Sequence, residues 1–268
     1  MTTSQKGIAV VTGASAGIGA IYADRLARRG YDLILVARSQ KKLDEVAKRI
    51  AGSTGRKVIT IAADLNDKAD LARVETVLGT DPGITMLVNN AGIGAVAPLL
   101  ESDIDKMEAM IELNVTALTR LTYAAVPAFV VRGGGTIINI SSAVAIAPEI
   151  LNGVYGATKA FVLALSLSLH KELADKKLRI QAVLPGAVAT NFWDASGGSL
   201  DELPSTMVMQ SDDLVDAALA GLDQGELVTI PSLPDAADWH AYEAARQKLI
   251  PNLSLSVSPA RYRIAAAA

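Results

Sequence analysis

The chain has 268 residues, of which 50% are hydrophobic and 20% charged, with a net charge of −3 and no cysteine. This composition is typical of a globular protein with a sizeable core, and it excludes disulfides, thiolate nucleophiles and cysteine-ligated metals. Dispersed basic residues, only two histidines and the lack of an 18-residue apolar run argue against nucleic-acid, metal and membrane sites. The short polar N-terminus does not resemble a signal peptide, so we expect a cytoplasmic protein.

Short apolar runs alternate with longer helical patterns along the chain. The predicted strands span residues 8–12, 32–36, 58–62, 84–88, 136–140, 178–184 and 226–230. The predicted helices span residues 17–29, 39–50, 67–78, 103–131, 153–174, 212–222 and 236–249. Ser39 is the expected N-cap of the second helix, and Pro127 should kink or interrupt the fourth.

Strands that alternate with helices over short connections predict an α/β fold, in which a parallel sheet is covered on both faces. A (β/α)8 barrel and an open, doubly wound sheet both satisfy this alternation. The first strand-to-helix turn contains Gly13, Gly17 and Gly19, as in nucleotide-binding open sheets, and therefore favours the open sheet. We expect a single Rossmann-like domain over residues 1–268, with seven strands in a three-layer α/β/α arrangement.

The glycine-rich turn is compatible with two functions. Glycines let the backbone approach a ligand closely, and the free N–H groups at the start of a helix favour a pyrophosphate. The same residues match G-x-S-x-G, with Ser15 as the nucleophile of a hydrolase. Only one strand precedes Ser15, and the base would have to be His170 or His240, so we favour the pyrophosphate site.

The end of the second predicted strand indicates which dinucleotide would bind. An acidic residue there binds the ribose 2′-hydroxyl of NAD, whereas a nearby arginine accommodates the 2′-phosphate of NADP. No acid is present, and Arg38 and Ser39 follow the strand directly. The pattern therefore favours NADP(H) over NAD(H).

Tyr155 and Lys159 lie four residues apart in the fifth predicted helix, so they share one helical face. An ammonium about 4 Å from a phenol would stabilise the phenolate by roughly 4 kcal/mol and lower its pKa by about two to three pH units. Such a tyrosine suits general acid/base catalysis near neutral pH. A tyrosine and a lysine at this spacing also describe an ordinary surface pair, so the surroundings must decide.

Polar and turn-forming residues follow several predicted strands, at the sheet edge where open sheets bind their ligands. They are Asp64 after the third strand, Asn89 to Gly92 after the fourth, Ser141 and Ser142 after the fifth, and Pro185 and Gly186 after the sixth. We therefore expect a cofactor to lie along this edge, close to Tyr155.

Together these motifs resemble the short-chain dehydrogenase/reductase family over about residues 7–230. The matching positions are Thr12-Gly13-x3-Gly17-x-Gly19, Asn89-Asn90-Ala91-Gly92, Leu113-Asn114-Val115, Ser142, Tyr155-x3-Lys159 and Pro185-Gly186-x3-Thr190. Ser142 precedes Tyr155 by thirteen residues, which is the usual spacing in the family. Each motif is weak by itself, but their joint order and spacing are specific.

The resemblance implies an oxidoreductase that moves a hydride between NADP(H) and a carbonyl or secondary alcohol. Tyr155 would donate or accept the proton, and Ser142 would bind the substrate carbonyl. Lys159 would hold the nicotinamide ribose and lower the tyrosine pKa, and Asn114 would complete a proton relay through water. The implied cofactor-binding residues are Gly13, Ser15, Ala16, Gly17, Ile18, Gly19, Arg38, Ser39, Asp64, Leu65, Asn90, Ala91, Gly92, Tyr155, Lys159, Pro185, Gly186, Val188 and Thr190.

One position departs from the pattern of some NADP-preferring relatives, which carry a basic residue just before the second motif glycine. Here that position holds Ala16, so recognition of the 2′-phosphate would rest on Arg38 and Ser39. The alternative function is a catalytically idle nucleotide-binding protein on the same fold. The complete catalytic set speaks against it.

In this family, the segment corresponding to about residues 188–211 forms a lid over the substrate. Phe192 and Trp193 in this segment favour an apolar substrate, although they also suit simple packing of the lid on the body. We further expect a C-terminal extension over about residues 231–268. Relatives pair through their two long helices, so the resemblance implies a homodimer or homotetramer.

Overall fold

The computed structural model describes residues 6–262, which divide into two compact units after Ser232. The strands are β1 (Ile8–Thr12), β2 (Asp32–Ala37), β3 (Val58–Ala62), β4 (Ile84–Asn89), β5 (Gly135–Ile140), β6 (Leu178–Val183), β7 (Ala187–Val188), β8 (Val208–Met209) and β9 (Val228–Thr229). The helices are α1 (Gly17–Arg28), α2 (Gln40–Thr54), α3 (Lys68–Thr80), α4 (Ile104–Ile111), α5 (Leu118–Val131), α6 (Gly153–Glu172), α7 (Phe192–Ser196), α8 (Ser211–Gln224) and α9 (Ala236–Leu249).

Seven strands of the first unit form one parallel sheet in the order β3-β2-β1-β4-β5-β6-β9. The chain builds outwards from β1 to β3 and then returns to the other side of β1 with β4. Such a reversal opens a crevice at the carboxyl ends of β1 and β4, where open α/β sheets bind their ligands. The predicted seven-stranded, doubly wound sheet is therefore confirmed.

Helices cover both faces of the sheet, and successive strand residues supply two separate cores. In β1, Ala9 and Val11 pack with residues of α1, α2 and α8, whereas Val10 packs with residues of α3, α5 and α6. All three side chains are fully buried. Burial on both faces explains why the strands are continuous apolar runs rather than alternating ones. The three-layer α/β/α arrangement is confirmed.

The long helical segment 103–131 differs from the prediction in the position of its irregularity. Pro127 lies inside α5, which continues to Val131 without interruption. The buried side chains of Ala125 and Phe129, on either side of the proline, hold the helix against the core across the lost backbone hydrogen bond. A π-helical turn over Glu112–Ala117 separates α4 from α5 instead. The structure therefore shows no restart at Pro127, and the interruption of the segment lies at the π-helical turn.

The second unit contains α9, whose bounds match the prediction. Asp235 caps this helix by accepting a hydrogen bond from the Ala237 N–H, and no residue of α9 is buried. The rings of Trp239 and Tyr242 stack at 5.4 Å between centroids. Whether residues 1–268 act as one domain stays a prediction. Across residues 6–262 there is no helix with the length and apolarity needed to cross a bilayer.

Candidate active site

The predicted cofactor residues of the first turn lie where β1 gives way to α1. The N-cap of α1 is Ala16, which offers no side-chain hydrogen bond to the first helical N–H groups. Gly13 and Gly17 have φ values of +66° and +52°, which favour glycine. Ser15 and Ile18 are half-buried beside them. The first N–H groups of α1 are therefore not capped by the Ala16 side chain, and glycine keeps the backbone accessible at positions 13 and 17.

Steric crowding by neighbouring atoms requires glycine at positions 13 and 19. A Cβ at Gly13 would lie 2.8 Å from Asn90 Nδ2 and 2.9 Å from Ala91 Cα. A Cβ at Gly19 would overlap with the Gly13 carbonyl oxygen. A dinucleotide therefore fits the turn on two observations: the uncapped helix start and the close approach that only glycine permits.

The adjoining segment Asn90-Ala91-Gly92 is fixed by β1. Thr12 Oγ1 accepts hydrogen bonds from the N–H groups of Asn90 and Ala91, both at 3.0 Å, and donates to the Val88 carbonyl at 3.3 Å. Asn90 Nδ2 donates to the Thr12 carbonyl at 2.9 Å. The ends of β1 and β4 are thus linked at the crevice, and Asn90 and Ala91 stand beside Gly13.

Four further predicted cofactor residues follow β2 and β3, two after each strand. Arg38 is exposed, and no carboxylate among residues 6–262 pairs with its guanidinium. Ser39 accepts a hydrogen bond from the Lys42 N–H and caps α2, as predicted. Asp64 is exposed and accepts from the Asn66 N–H, while Leu65 is buried. The exposed Arg38 guanidinium is therefore available to bind an anion. The Ser39 hydroxyl already caps α2.

Tyr155 and Lys159 are brought together as predicted, in the first two turns of α6. Lys159 Nζ lies 5.8 Å from the centre of the Tyr155 ring, and each side chain is only 6% exposed. The ammonium donates to the Ile140 carbonyl at 3.0 Å, at the end of β5. This buried pair is not the ordinary surface pair that the spacing alone would allow.

The predicted lowering of the Tyr155 pKa was wrong. Burial raises the pKa of Tyr155 to about 12, because the phenolate loses its hydration, and a hydrogen bond between the Tyr155 and Ser142 side chains only partly opposes this. Lys159 does not reverse the effect, because its ammonium is directed to a backbone carbonyl. Burial also lowers the pKa of Lys159 to about 8.

Ser142 reaches the site from the loop after β5. Its Oγ donates to the Pro185 carbonyl at 3.4 Å and accepts from the Val144 N–H at 3.4 Å, which begins a short 3-10 turn. The Ala143 N–H also donates to Pro185, at 2.8 Å. Ser141 turns away and donates to the Lys159 carbonyl at 2.7 Å. Only the second serine therefore stands beside Tyr155.

Asn114 lies in the π-helical turn and is 2% exposed. Its amide pairs with both backbone groups of Ile93, accepting from the N–H at 3.0 Å and donating to the carbonyl at 2.8 Å. It also donates to Thr158 Oγ1 at 3.1 Å, and Thr158 donates to the Tyr155 carbonyl at 2.8 Å. Asn114 thus connects the segment after β4 to the helix that carries the tyrosine.

Gly92 leaves room between these groups. A Cβ at Gly92 would lie 3.0 Å from Asn114 Oδ1 and 3.4 Å from Lys159 Nζ. The glycine thus keeps the approach to both side chains open. Asn114, Lys159 and the segment after β4 therefore share one small space.

The remaining predicted cofactor positions follow β6. Pro185 and Val188 are buried, Gly186 is exposed, and Thr190 accepts from the Phe192 N–H at 3.3 Å. A Cβ at Gly17 would lie 3.4 Å from Thr190 Cγ2, so this segment stands opposite the first turn. The predicted cofactor residues thus line the carboxyl edge of the sheet from β3 to β6.

Sequence reasoning did not name two residues of the site. Asn152 is the N-cap of α6, accepts from the N–H groups of Val154 and Tyr155, and donates to the Ala97 carbonyl at 2.6 Å. An asparagine immediately before a predicted helix was an available signal for this cap. Thr158, which bonds Asn114, lay inside the tyrosine motif at a position treated as variable.

The one histidine of α6 lies far from the buried tyrosine. His170 is exposed near the end of that helix, fifteen residues beyond Tyr155. At 1.5 Å per residue it stands about 22 Å further along the axis. The fold and the buried tyrosine site together define a Rossmann-like α/β protein with a candidate dinucleotide site.

Comparison with known proteins identifies the family. A family model described as short chain dehydrogenase matches residues 7–199. The chain belongs to this family, and the alternative reading as a hydrolase is wrong.

Similar proteins include both curated relatives and solved structures. The chain is 39% identical over 207 residues to a very-long-chain 3-oxoacyl-CoA reductase of Anas platyrhynchos, covering 75% of this chain and 66% of that protein. A short-chain dehydrogenase from Sphingobium yanoikuyae in complex with NADPH is 47% identical, with a TM-score of 0.92 over 96% of this chain and 100% of that chain. The bulky-bulky ketone specific alcohol dehydrogenase from Comamonas testosteroni is 43% identical, with a TM-score of 0.89 over 97% and 99%. The chain spans slightly less than two thirds of the length of the first curated relative.

Proposed function

We propose that this protein is an NADP(H)-dependent oxidoreductase that transfers a hydride between nicotinamide and a carbonyl or secondary alcohol. The observation that carries the proposal is the buried group of Tyr155, Lys159 and Ser142 at the carboxyl edge of the sheet, beside a glycine turn that fits a dinucleotide. Membership of the short chain dehydrogenase family supports the same reaction class. No feature of the site favours the idle nucleotide-binding alternative.

The preference for NADP(H) over NAD(H) rests on the end of β2. Arg38 is exposed, unpaired among the described residues, and follows the strand with no acid nearby to bind a ribose hydroxyl. A guanidinium suits a phosphate, and such charge-assisted bonds contribute about 1.5–3 kcal/mol. The similar dehydrogenase of Sphingobium yanoikuyae was solved with NADPH, which supports this choice.

When bound, the nicotinamide supplies or accepts the hydride, and the protein's side chains manage the proton. Because its pKa is raised, Tyr155 carries a proton at neutral pH and can donate it to a carbonyl oxygen. Ser142 lies close enough to Tyr155 to hydrogen-bond the same oxygen. Lys159 is charged below its pKa of about 8 and would bind the ribose hydroxyls. Asn114 would hold the segment after β4 in place and relay the proton.

The decisive variant is Tyr155→Phe. It removes the hydroxyl but keeps the ring in its packing, so NADPH binding should remain within about twofold while turnover of a ketone falls at least 100-fold. The matched control is Tyr242→Phe, which alters a tyrosine that is 46% exposed on α9. NADPH oxidation at 340 nm and fluorescence titration measure the two quantities. Near-normal turnover in Tyr155→Phe would contradict the proposal.

The substrate, assembly and location are also proposed here. An uncharged ketone or the matching alcohol fits the apolar surroundings of Tyr155, and the Comamonas testosteroni relative is named for bulky ketones. Tyr123 and Val131 on α5 and Phe161 on α6 are exposed apolar side chains, which supports pairing of subunits through these two helices. A homodimer or homotetramer in the cytoplasm is the arrangement we propose.

A further inference from the structure

The segment between β7 and β8 contacts the site through one side chain. Phe192, the first residue of α7, lies with its ring centre 5.6 Å from that of Tyr155, at an angle of 45°. Both belong to a small apolar cluster that is separate from the two cores of the sheet and also contains Ala95 and Val144. The phenol therefore has an aromatic neighbour supplied by a different part of the chain.

Gly94 provides the space that the Phe192 ring occupies. A Cβ at Gly94 would overlap with the Cζ and Cε2 atoms of Phe192 and lie 3.1 Å from Ser196 Oγ. The φ of Gly94 is not in the left-handed region, so space and not backbone conformation requires a glycine here. The Phe192 ring fills the space that a side chain at Gly94 would take, and we call this space the Gly94 notch.

Both sides of this contact are held by hydrogen bonds. On one side, the backbone of Ile93 is paired with Asn114, and the Val96 N–H donates to the Ser196 carbonyl at 3.2 Å. On the other side, Ser196 Oγ donates to the Phe192 carbonyl at 2.6 Å. In addition, Trp193 Nε1 donates to the Val188 carbonyl at 3.1 Å. The ring is therefore a fixed wall rather than a loose surface group.

We propose that Phe192 is the specificity-determining residue of this enzyme, and that its ring, seated in the Gly94 notch, limits the size of the substrate group beside Tyr155. The wall is aromatic and uncharged, so it accepts apolar or aromatic ketone substituents and disfavours charged ones. This inference rests on the proposed oxidoreductase function, because it concerns the same site.

The first test compares substrate size in wild type, Phe192→Ala and Phe192→Trp. The probes are acetophenone and benzophenone, which differ in one methyl-to-phenyl exchange beside the carbonyl. Removing the ring should raise the benzophenone-to-acetophenone ratio of kcat/KM at least tenfold, and enlarging it should lower that ratio. Ile59→Ala is the control, because it truncates an apolar side chain, 39% exposed, on the edge strand β3, four strands away from β5. Its ratio should equal that of wild type.

The second test uses Gly94 as an independent partner. Gly94→Ala should displace the ring and change KM for acetophenone at least fivefold, while NADPH binding stays as in wild type. In the Phe192→Ala background the same methyl meets no ring, so the effect of Gly94→Ala should largely disappear. A general packing defect would instead persist in the double variant.

The outcomes separate this inference from the function on which it rests. Wild-type protein that reduces no ketone with NADPH contradicts the proposed function. Active wild type whose size ratio is unchanged in both Phe192 variants contradicts the specificity role alone. Additive effects of Gly94→Ala and Phe192→Ala would likewise overturn it. A raised ratio in Phe192→Ala, a lowered ratio in Phe192→Trp and non-additivity with Gly94→Ala support it.

Discussion

Replacing Lys159 with methionine should abolish turnover and yet stabilise the folded protein at neutral pH. The ammonium is buried, and burial lowers its pKa from an ordinary 10.5 to about 8. At 1.36 kcal/mol per pH unit, this difference corresponds to about 3 kcal/mol of folding free energy. Methionine is similar in length and apolar, but it leaves the Ile140 carbonyl without its 3.0 Å hydrogen bond, which costs about 1 kcal/mol. The net gain should be about 2 kcal/mol at pH 7.

The sign of the pH dependence follows from the direction of the shift. Below pH 8 the lysine is protonated in the folded and the unfolded chain, so the folded protein carries the full cost of burying the charge. Between pH 8 and 10.5 the unfolded chain binds more protons, and stability therefore rises with pH. The advantage of Lys159→Met should accordingly shrink from about 2 kcal/mol at pH 7 to near zero at pH 10.

Urea unfolding followed by circular dichroism, without added cofactor and at one protein concentration, measures this difference. Lys171→Met on the exposed part of α6 is the control, and its stability should stay within about 0.5 kcal/mol of wild type at both pH values. A Lys159→Met protein that is no more stable than wild type at pH 7, or whose gain is the same at pH 10, would refute the reasoning.

Three further variants address the cofactor site and the π-helical turn. Gly13→Ala should weaken NADPH binding at least tenfold in a fluorescence titration, because its φ of +66° and the nearby Asn90 leave no room for a methyl group; unchanged affinity would contradict the fit of the turn. Arg38→Ala should weaken NADPH binding by about 10–100-fold and NADH binding far less, whereas equal losses would remove the assignment of the 2′-phosphate site. Asn114→Leu should lower the urea midpoint and kcat, because it leaves both backbone groups of Ile93 unpaired; a stable, fully active variant would contradict this role.

The sheet could be predicted from the sequence because its strands obey a local rule. Residues 8–12 and 58–62 are short apolar runs between polar turns, and the structure places β1 and β3 within the same bounds. Burial on both faces requires such a run in β1, where four of the five residues are buried. β3 is the edge strand and none of its residues is fully buried, but its β-branched residues still favour a strand. The open, doubly wound class of the sheet followed from the alternation with helices and the glycine turn, whereas the order of the strands was not predicted.

The interruption of the long helix could not be placed from the sequence. A proline was the visible signal, but α5 continues through Pro127 as one helix, with Phe129 buried just beyond it. The irregular turn lies around Asn114, whose side chain bonds a residue twenty-one positions away. No local periodicity encodes a contact of that kind, and tertiary hydrogen bonding determined the outcome.

The contact of Phe192 with Gly94 is another long-range contact that the sequence pattern could not predict. The two residues lie almost a hundred positions apart, in segments without regular periodicity. The sequence indicated an aromatic residue in a lid but offered no means to choose between substrate contact and packing. Only the fold brings the ring against Tyr155.

The protonation of the site has a consequence for the direction of the reaction. Burial moves both reactive groups toward their neutral forms, raising the pKa of Tyr155 to about 12 and lowering that of Lys159 to about 8. Tyr155 is therefore protonated at neutral pH. Carbonyl reduction needs a proton from this group, whereas alcohol oxidation needs the phenolate to accept one. In its protonated form Tyr155 can supply the proton that the proposed carbonyl reduction needs. Efficient oxidation at neutral pH would require positive charge closer to the phenol than the ammonium of Lys159, which is directed to the Ile140 carbonyl.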